Sequence, residues 1–252
     1  MKDIDKSQSS VFLSNGYVMI PNVHALPKVG AGHDGVVYQY GDFVFKILKY
    51  DIERRKVKDL MTFEKATYFA NELKLKRITQ PIDILLNSDG IYTGYVMKYL
   101  HDISKYPEDD NYRSIKDFTL GELEKSVDEL EEDVGELTRK RIVIDDLNRG
   151  SYIITSNFLN MCDMDKFKIV GGPNAIYDIN KNKLNFFISK AMYYEMEKSG
   201  LFTKDELKQL MRWVKKSSNS RDFLRQLRRD CQNDESYPFG EYVMEKGKII
   251  VR

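Results

Sequence analysis

In the first hundred residues, short apolar runs alternate with residues that favour turns. Six runs rich in β-branched and aromatic residues predict strands: Val11–Leu13, Tyr17–Ile20, Val36–Tyr38, Phe43–Leu48, Ile82–Leu86 and Ile91–Leu100. Gly41 and Asp42 separate two of these runs and predict a hairpin turn, and residues 87–90 predict a second turn. This part of the chain is therefore predicted to form a β-sheet.

A single helix is predicted between these strands. Residues 56–78 contain neither Gly nor Pro, and Pro81 follows shortly after them. Their apolar positions, from Leu60 to Ile78, recur at the spacing of a helix.

The pattern changes after residue 100 and becomes helical. Leu123, Val127, Leu130, Val134 and Leu137 are spaced by four, three, four and three residues, which predicts an amphipathic helix. The other face of this helix is acidic, with Glu122, Glu124, Asp128, Glu129, Glu131, Glu132, Asp133 and Glu136. The stripe covers about two heptads, fewer than a coiled coil normally shows. Helical spacing resumes after residue 186.

These patterns predict an α+β fold with two lobes. Residues 1–100 form a β-rich lobe with one long helix, and residues 101–252 form a reduced helical lobe.

The composition is that of a folded protein in water. Of the 252 residues, 42% are hydrophobic and 31% are charged, which is too apolar for disorder. The formal net charge of +1 provides no general attraction to nucleic acid or to an anionic membrane. No run of about 18 apolar residues occurs, so we expect no signal peptide, no membrane insertion and a cytoplasmic location. The two cysteines and three histidines lack the spacing of a zinc site.

A glycine motif begins between the predicted strands. Gly30, Ala31, Gly32, His33, Asp34, Gly35, Val36 and Val37 fit the pattern G-x-G-x-x-G-x-V. A dinucleotide-binding fold would place a helix directly after the glycines, whereas here a predicted strand follows, and a second strand contains Lys46. Glycine loop, strand, turn, strand and lysine is the order found in protein kinases. In this order the backbone closes over a triphosphate, and Lys46 reaches its α and β phosphates.

A lysine in a half-buried strand needs an anionic partner. The predicted helix 56–78 offers Glu64 and Glu72. We prefer Glu72, because the residues that follow it lead into Pro81 and Ile82 in the way that the helix of protein kinases leads into its next strand, so this preference rests on the resemblance.

Later segments extend the resemblance to eukaryotic-type Ser/Thr protein kinases. Tyr95-Val96-Met97-Lys98-Tyr99-Leu100 resembles the strand and hinge that bind adenine. The resemblance implies that Met97 is the gatekeeper and that the backbone of Lys98, Tyr99 and Leu100 contacts adenine. Kinases commonly have an acidic residue at the position of Lys98.

Two further segments resemble the catalytic and metal-binding loops of the family. Residues 137–147 resemble the end of a helix and the catalytic loop, which implies that Asp146 accepts the proton of the substrate hydroxyl. Residues 161–165, Met-Cys-Asp-Met-Asp, resemble the Asp-Phe-Gly segment, which implies that Asp163 holds Mg²⁺ against the β and γ phosphates.

The chain departs from the family at several positions. Ile144 and Asp145 replace the usual His and Arg, which argues against switching by a phosphorylated activation loop. Ser151 stands where the second metal ligand, an asparagine, is expected; Asn148 and Asp165 are nearby oxygen donors that can compensate. No Ala-Pro-Glu follows Asp165, so the segment that docks a peptide is shortened.

The resemblance implies an Mg²⁺- and ATP-dependent phosphotransferase that acts on a Ser or Thr hydroxyl of a protein. Two alternatives remain open: a small-molecule kinase of the same fold, and a nucleotide-binding pseudokinase that acts as a regulatory interaction module. Its partner is then a protein substrate or regulator, and nucleic acid is not expected. The basic run at residues 212–229 is interpreted as a solvated helical surface, and the tail 236–252 as a strand or a partner contact.

Overall fold

The computed structural model describes residues 11–13, 16–20, 22–32, 34–49, 61–101, 117–147, 151–155, 158–171, 175–198, 200, 203–208, 212, 229 and 234–241. These residues fall into two compact units. The first unit consists of the described parts of Met1–Lys74, Thr79–His101 and Met164–Lys166. The second consists of the described parts of Leu75–Ile78, Asp102–Asp163 and Phe167–Arg252.

The first unit contains a seven-stranded antiparallel sheet. Its strands are β1 (Val11–Leu13), β2 (Gly16–Ile20), β3 (Lys28–Ala31), β4 (Gly35–Tyr40), β5 (Phe43–Leu48), β6 (Pro81–Leu86) and β7 (Tyr92–Lys98). Their order across the sheet is β2-β1-β6-β7-β5-β4-β3. The mixed α and β structure with an antiparallel sheet in the N-terminal part was predicted. Strand β3 was not, because Gly30 interrupts its short apolar run.

The predicted hairpin at Gly41 and Asp42 is confirmed. Tyr40 pairs with Phe43 across a two-residue turn in which Gly41 has a φ of 57°, a left-handed conformation that glycine adopts readily. The sheet buries an apolar cluster formed by Val23, Tyr38, Phe45, Leu85 and Val96.

The helix of the first unit, α1, spans Phe63–Glu72 and packs against β6. Thr62 caps its start, because its side chain accepts a hydrogen bond from the N–H of Lys65 at 3.3 Å. The predicted helix 56–78 was too long at its C-terminal end, since Leu73 is already extended. Residues 56–60 lie outside the described residues.

A side chain of the second unit explains why residues 76–78 are not helical. Asp133 accepts hydrogen bonds from the backbone N–H groups of Lys76 and Arg77 at 2.7 Å and of Ile78 at 2.9 Å. These N–H groups are therefore not bonded to carbonyls of a preceding helical turn. Asp133 was predicted on the acidic face of its helix but is only 2% exposed.

That helix, α2, spans Leu120–Arg139 and confirms the predicted amphipathic stripe. All five stripe residues from Leu123 to Leu137 are buried. Thr119 and Glu122 form a capping box at its start, in which each side chain accepts a hydrogen bond from the other residue's N–H. The long helix α3, Ile176–Lys198, confirms helical structure after residue 186.

Four short strands in the second unit were not predicted. They are β8 (Ile142–Val143), β9 (Tyr152–Ile154), β10 (Leu159–Met161) and β11 (Lys168–Ile169). Strand β9 pairs with β10, and β8 pairs with β11, both antiparallel. Strands of two or three residues are too short to show a period in the sequence.

Part of the predicted tail contacts the start of α2. Pro238 pairs with Thr119 in an isolated antiparallel bridge, and Phe239 is buried. Residues 242–252 lie outside the described residues, as does the basic run apart from Arg212 and Arg229, which are exposed. Among the helices in the described part of the chain, none combines the length and apolar composition that a membrane span requires.

Candidate functional site

The glycine motif forms the end of a β-hairpin in the first unit. Gly30 pairs with Val37 and Ala31 with Val36, so the first two motif residues belong to β3. The N–H of Gly32 donates to the carbonyl of Gly35 at 2.9 Å and closes the turn. Asp34 lies within this turn, and His33 lies outside the described residues. The motif is thus followed by a strand, as predicted, and not by a helix.

Two of the glycines have different surroundings. A Cβ atom on Gly35 would lie 2.6 Å from the carbonyl oxygen of Ile47, so β4 can pair with β5 here only because position 35 has no side chain. A Cβ atom on Gly32 would meet no atom within 4 Å. The turn therefore has open space beside Gly32, as a loop that closes over a ligand requires.

Lys49 follows the last residue of β5 and donates two hydrogen bonds to this turn. Its backbone N–H donates to the carbonyl of Asp34, and its ammonium group donates to the carbonyl of Gly32, both at 2.9 Å. Lys49 was not predicted to be a site residue. The indication of its role in the sequence was its position three residues after Lys46, just beyond the strand.

Lys46 lies in the middle of β5, where it pairs with Val37 on one side and Tyr95 on the other. Its side chain is buried and forms an ion pair with the Oδ2 atom of Asp165. The other carboxylate oxygen, Oδ1, accepts a hydrogen bond from the hydroxyl of Tyr95. Lys65 of α1 donates from its ammonium group to the backbone carbonyl of Asp165. Four residues of the first unit thus form one polar cluster, which we call the Lys46 cluster.

The two charged side chains that pair in the Lys46 cluster are buried. Lys46 is 9% exposed and Asp165 is 2% exposed. A buried charge is costly unless an opposite charge and hydrogen bonds compensate it, and each charge here has both. The carboxylate that pairs with Lys46 therefore belongs to Asp165, which was predicted as a possible metal ligand.

The glutamates considered as partners of Lys46 are both exposed. Glu64 lies in the first turn of α1, and Glu72 is its last residue. The expectation that Glu72 supports Lys46 stays a prediction.

The predicted adenine-binding segment continues from β7. Met97 is half-buried and pairs with Val44, and Lys98 is the last residue of the strand. The N–H of Tyr99 donates to the carbonyl of Asp42 at 2.8 Å. An adenine contact by residues 98–100 would therefore use backbone groups other than this N–H, such as those of Lys98 and Leu100.

In the second unit, Asp146 lies in the loop that follows β8. Its φ of 52° is in the left-handed region, which a residue with a side chain seldom adopts. Ahead of it, the side chain of Asn180 from α3 accepts a hydrogen bond from the N–H of Ile144 and donates one to the carbonyl of Ile142, each at 2.8 Å. Asn180 is fully buried and was not selected from the sequence, where a lone Asn in a helix carries no distinguishing signal.

Asp163 also has a left-handed backbone, with a φ of 73°. Five residues other than glycine have a positive φ in the described part of the chain, and Asp146 and Asp163 are two of them. Such conformations cost free energy and often occur at functional sites. This feature of both aspartates is independent of the sequence resemblance that selected them.

Ser151, predicted near a second metal ion, is fully buried. Its carbonyl accepts a hydrogen bond from the N–H of Cys162 at 2.8 Å. The expectation that Ser151 contacts a second Mg²⁺ ion stays a prediction.

The described residues contain no cluster of three or more His, Cys, Asp or Glu side chains that could hold a metal ion. Mg²⁺ is commonly bound by one or two carboxylates together with substrate phosphates. The oxygen donors of Asp163 fit that chemistry.

Comparisons with known proteins do not assign a family. No protein-family model matches the chain, and no curated protein matches it. A solved structure of the CAK complex from Chaetomium thermophilum bound to ATP-gamma-S resembles part of it, with a TM-score of 0.45 and 15% identity. The match covers 58% of this chain and 47% of that one, so it spans about half the length of the matched chain. A likeness this weak establishes neither the activity nor the substrate of the chain.

Proposed function

We propose that the chain is an ATP-dependent phosphotransferase of the protein-kinase type, which transfers the γ-phosphoryl group of Mg²⁺-ATP to a Ser or Thr hydroxyl. The observation that carries the proposal is the environment of Lys46. It is a buried lysine on the strand after a glycine hairpin, and its ammonium group is held by a buried carboxylate. A buried lysine of this kind is positioned for a specific contact, because a lysine without such a role is normally solvated.

In the first unit, Lys46 would bind the α and β phosphates, and the turn at residues 30–35 would cover them. The hairpin geometry supports this role, because the space beside Gly32 is open and Lys49 holds the turn in place. The segment from Met97 to Leu100 would contact the adenine ring.

In the second unit, Asp146 would accept the proton of the acceptor hydroxyl, and Asp163 would hold Mg²⁺. When bound, the nucleotide would supply the phosphoryl group and the metal ion would neutralise the charge that develops during its transfer. The left-handed conformations of both aspartates support these roles.

The proposal is tested by measuring Mg²⁺-dependent ATP binding by calorimetry and transfer of a labelled γ-phosphate to a protein acceptor mixture. Lys46→Ala should weaken binding by at least about tenfold, since it removes a phosphate contact. Lys74→Ala, at an exposed lysine just after α1, is the matched control and should bind ATP normally.

Asp146→Asn should bind ATP like the wild type but lose transfer by about 10²- to 10⁴-fold, the usual contribution of a general base. Asp89→Asn, at an exposed turn residue, should leave both properties unchanged. Failure of the wild-type chain to bind ATP would overturn the proposal.

A second candidate, a nucleotide-binding pseudokinase, is favoured by Ser151. The family has an asparagine that binds a second metal ion at this position, and here a serine replaces it. ATP binding that depends on Lys46, with no transfer to protein or small-molecule hydroxyls, would favour this candidate.

A further inference from the structure

The carboxylate of Asp145, directly before Asp146, has donors from three parts of the second unit. Its Oδ2 atom lies 2.6 Å from the ammonium nitrogen of Lys168 on β11. Its Oδ1 atom lies 3.5 Å from the ammonium nitrogen of Lys183 on α3 and 2.9 Å from the backbone N–H of Asp146. Asp145 therefore joins two lysines to the backbone of the proposed catalytic residue.

The bond to the N–H of Asp146 matters because Asp146 has an unfavourable backbone conformation. A left-handed φ in a residue other than glycine costs up to roughly 1–2 kcal/mol, less in Asp and Asn than in most residues, and surroundings that hold the backbone favour it. The side chain of Asp145 is one such constraint, since short polar side chains bond readily to neighbouring backbone groups.

The lysines determine how Asp145 is oriented. Without the two lysines, the carboxylate of Asp145 could rotate toward solvent and lose its hydrogen bond from the N–H of Asp146. The hydrogen bond from Lys168 lowers the pKa of Asp145, and the charge of Lys183 acts in the same direction, so the carboxylate stays ionised. On the other side of the loop, Asn180 holds residues 142 and 144.

We propose that Asp145 is a positioning residue for Asp146, and that Lys168 and Lys183 hold its carboxylate in the orientation that this requires. Asp145 does not itself touch the substrate in this proposal. The proposal rests on the function assigned above to Asp146, and one of its tests does not depend on catalysis.

The first test measures transfer kinetics. Asp145→Ala should lower kcat by about ten- to a hundredfold, part of the effect of a general base, while the KM for ATP changes less than about twofold. Asp145→Asn keeps an acceptor oxygen and should retain more of the kcat than Asp145→Ala. Asp89→Ala serves as a control at an exposed aspartate outside this loop.

A charge exchange separates positioning from a purely structural ion pair. The variant Asp145→Lys/Lys168→Asp/Lys183→Gln, compared with Lys183→Gln alone, can restore an ion pair without repulsion from Lys183, but a lysine at position 145 cannot accept a hydrogen bond from the N–H of Asp146. We expect it to recover thermal stability without recovering kcat. Recovery of both would overturn the proposal.

The second test measures hydrogen exchange of the Asp146 amide by NMR and needs no activity. Asp145→Ala should accelerate the exchange of this amide by about tenfold or more. Lys168→Gln should accelerate it less, and because Lys168 is exposed, this substitution should not prevent folding. If the wild type transfers no phosphate, the proposed function fails and exchange still decides the role of Asp145. Unchanged exchange in Asp145→Ala would overturn the role even in an active enzyme.

Discussion

Lys46 and Asp165 form a buried ion pair although 119 positions separate them in the chain. Asp165 lies two residues after Asp163, the proposed Mg²⁺ ligand. The lysine proposed to bind phosphates is therefore held by the segment that directly follows the proposed metal ligand. This arrangement makes Asp165 important for Lys46 whether or not Glu72 also contributes.

The first prediction removes the charge of Asp165. Asp165→Asn removes the carboxylate charge that pairs with the buried ammonium group of Lys46, and breaking a buried ion pair in this way typically destabilises a protein by about 3–5 kcal/mol. We expect a lower free energy of unfolding in urea and weaker Mg²⁺-ATP binding, because Lys46 loses its orientation. Asp89→Asn is the control at an exposed aspartate.

A double variant tests whether the pair is responsible. Lys46→Met/Asp165→Leu replaces both charges by apolar side chains, and it should be less destabilised than the sum of the two single variants. Additive effects would contradict a direct interaction between these two residues.

The second prediction concerns the hydroxyl of Tyr95. Tyr95→Phe keeps the ring and removes the donor to Oδ1 of Asp165, so a buried acceptor loses a partner. The expected cost is about 1–3 kcal/mol in the free energy of unfolding. Tyr177→Phe, at an exposed tyrosine of α3, provides the comparison. Equal stability of the two variants would show that the hydroxyl does not support Asp165.

The third prediction distinguishes two glycines of the motif. Gly35→Ala places a methyl group against the backbone of Ile47 and should separate β4 from β5 locally, lowering the melting temperature. Gly32→Ala meets no atom within 4 Å and should fold normally. If Gly32 covers the phosphates, Gly32→Ala should still weaken ATP binding. Equal melting temperatures of the two variants would contradict the close contact at Gly35.

The features that the sequence predicted are those encoded by neighbouring residues. The β-branched runs of the sheet, the turn at Gly41 and the stripe from Leu123 to Leu137 all depend on local period or turn chemistry, and all are confirmed. The predicted helix was extended wrongly through residues 76–78, because the N–H groups of these residues bond to Asp133, which lies more than fifty positions later in the chain.

The partner of Lys46 could not be predicted for the same reason, because it lies far from Lys46 in the chain. Helix 56–78 offered nearby glutamates, and nothing local indicates that Asp165 and Tyr95 meet on Lys46. The sequence does contain a weak indication that Asp133 is buried. It lies three residues after Leu130 and four before Leu137, at the edge of the buried stripe, so its helical position is compatible with burial.

The fourth prediction uses two aspartates of the second unit whose pKa values move in opposite directions. Burial raises the pKa of Asp133 above 3.8, and its hydrogen bonds to residues 76–78 oppose this effect. The folded state then binds the proton of Asp133 more tightly than the unfolded state. The stabilisation that its titration contributes is fully present below pH 3.8 and is lost as the pH rises through the raised pKa.

The measurement is the difference in unfolding free energy between the wild type and Asp133→Asn at several pH values from about 3 to 7. Asparagine does not titrate, so this difference should be most favourable to the wild type in acid and should fall toward neutral pH. Asp145→Asn should show the opposite slope. Lys168 lowers the pKa of Asp145, so its contribution is present above pH 3.8 and is lost as the pH falls through the lowered pKa. Slopes of the same sign in both variants would contradict the assigned environment of one of the two carboxylates.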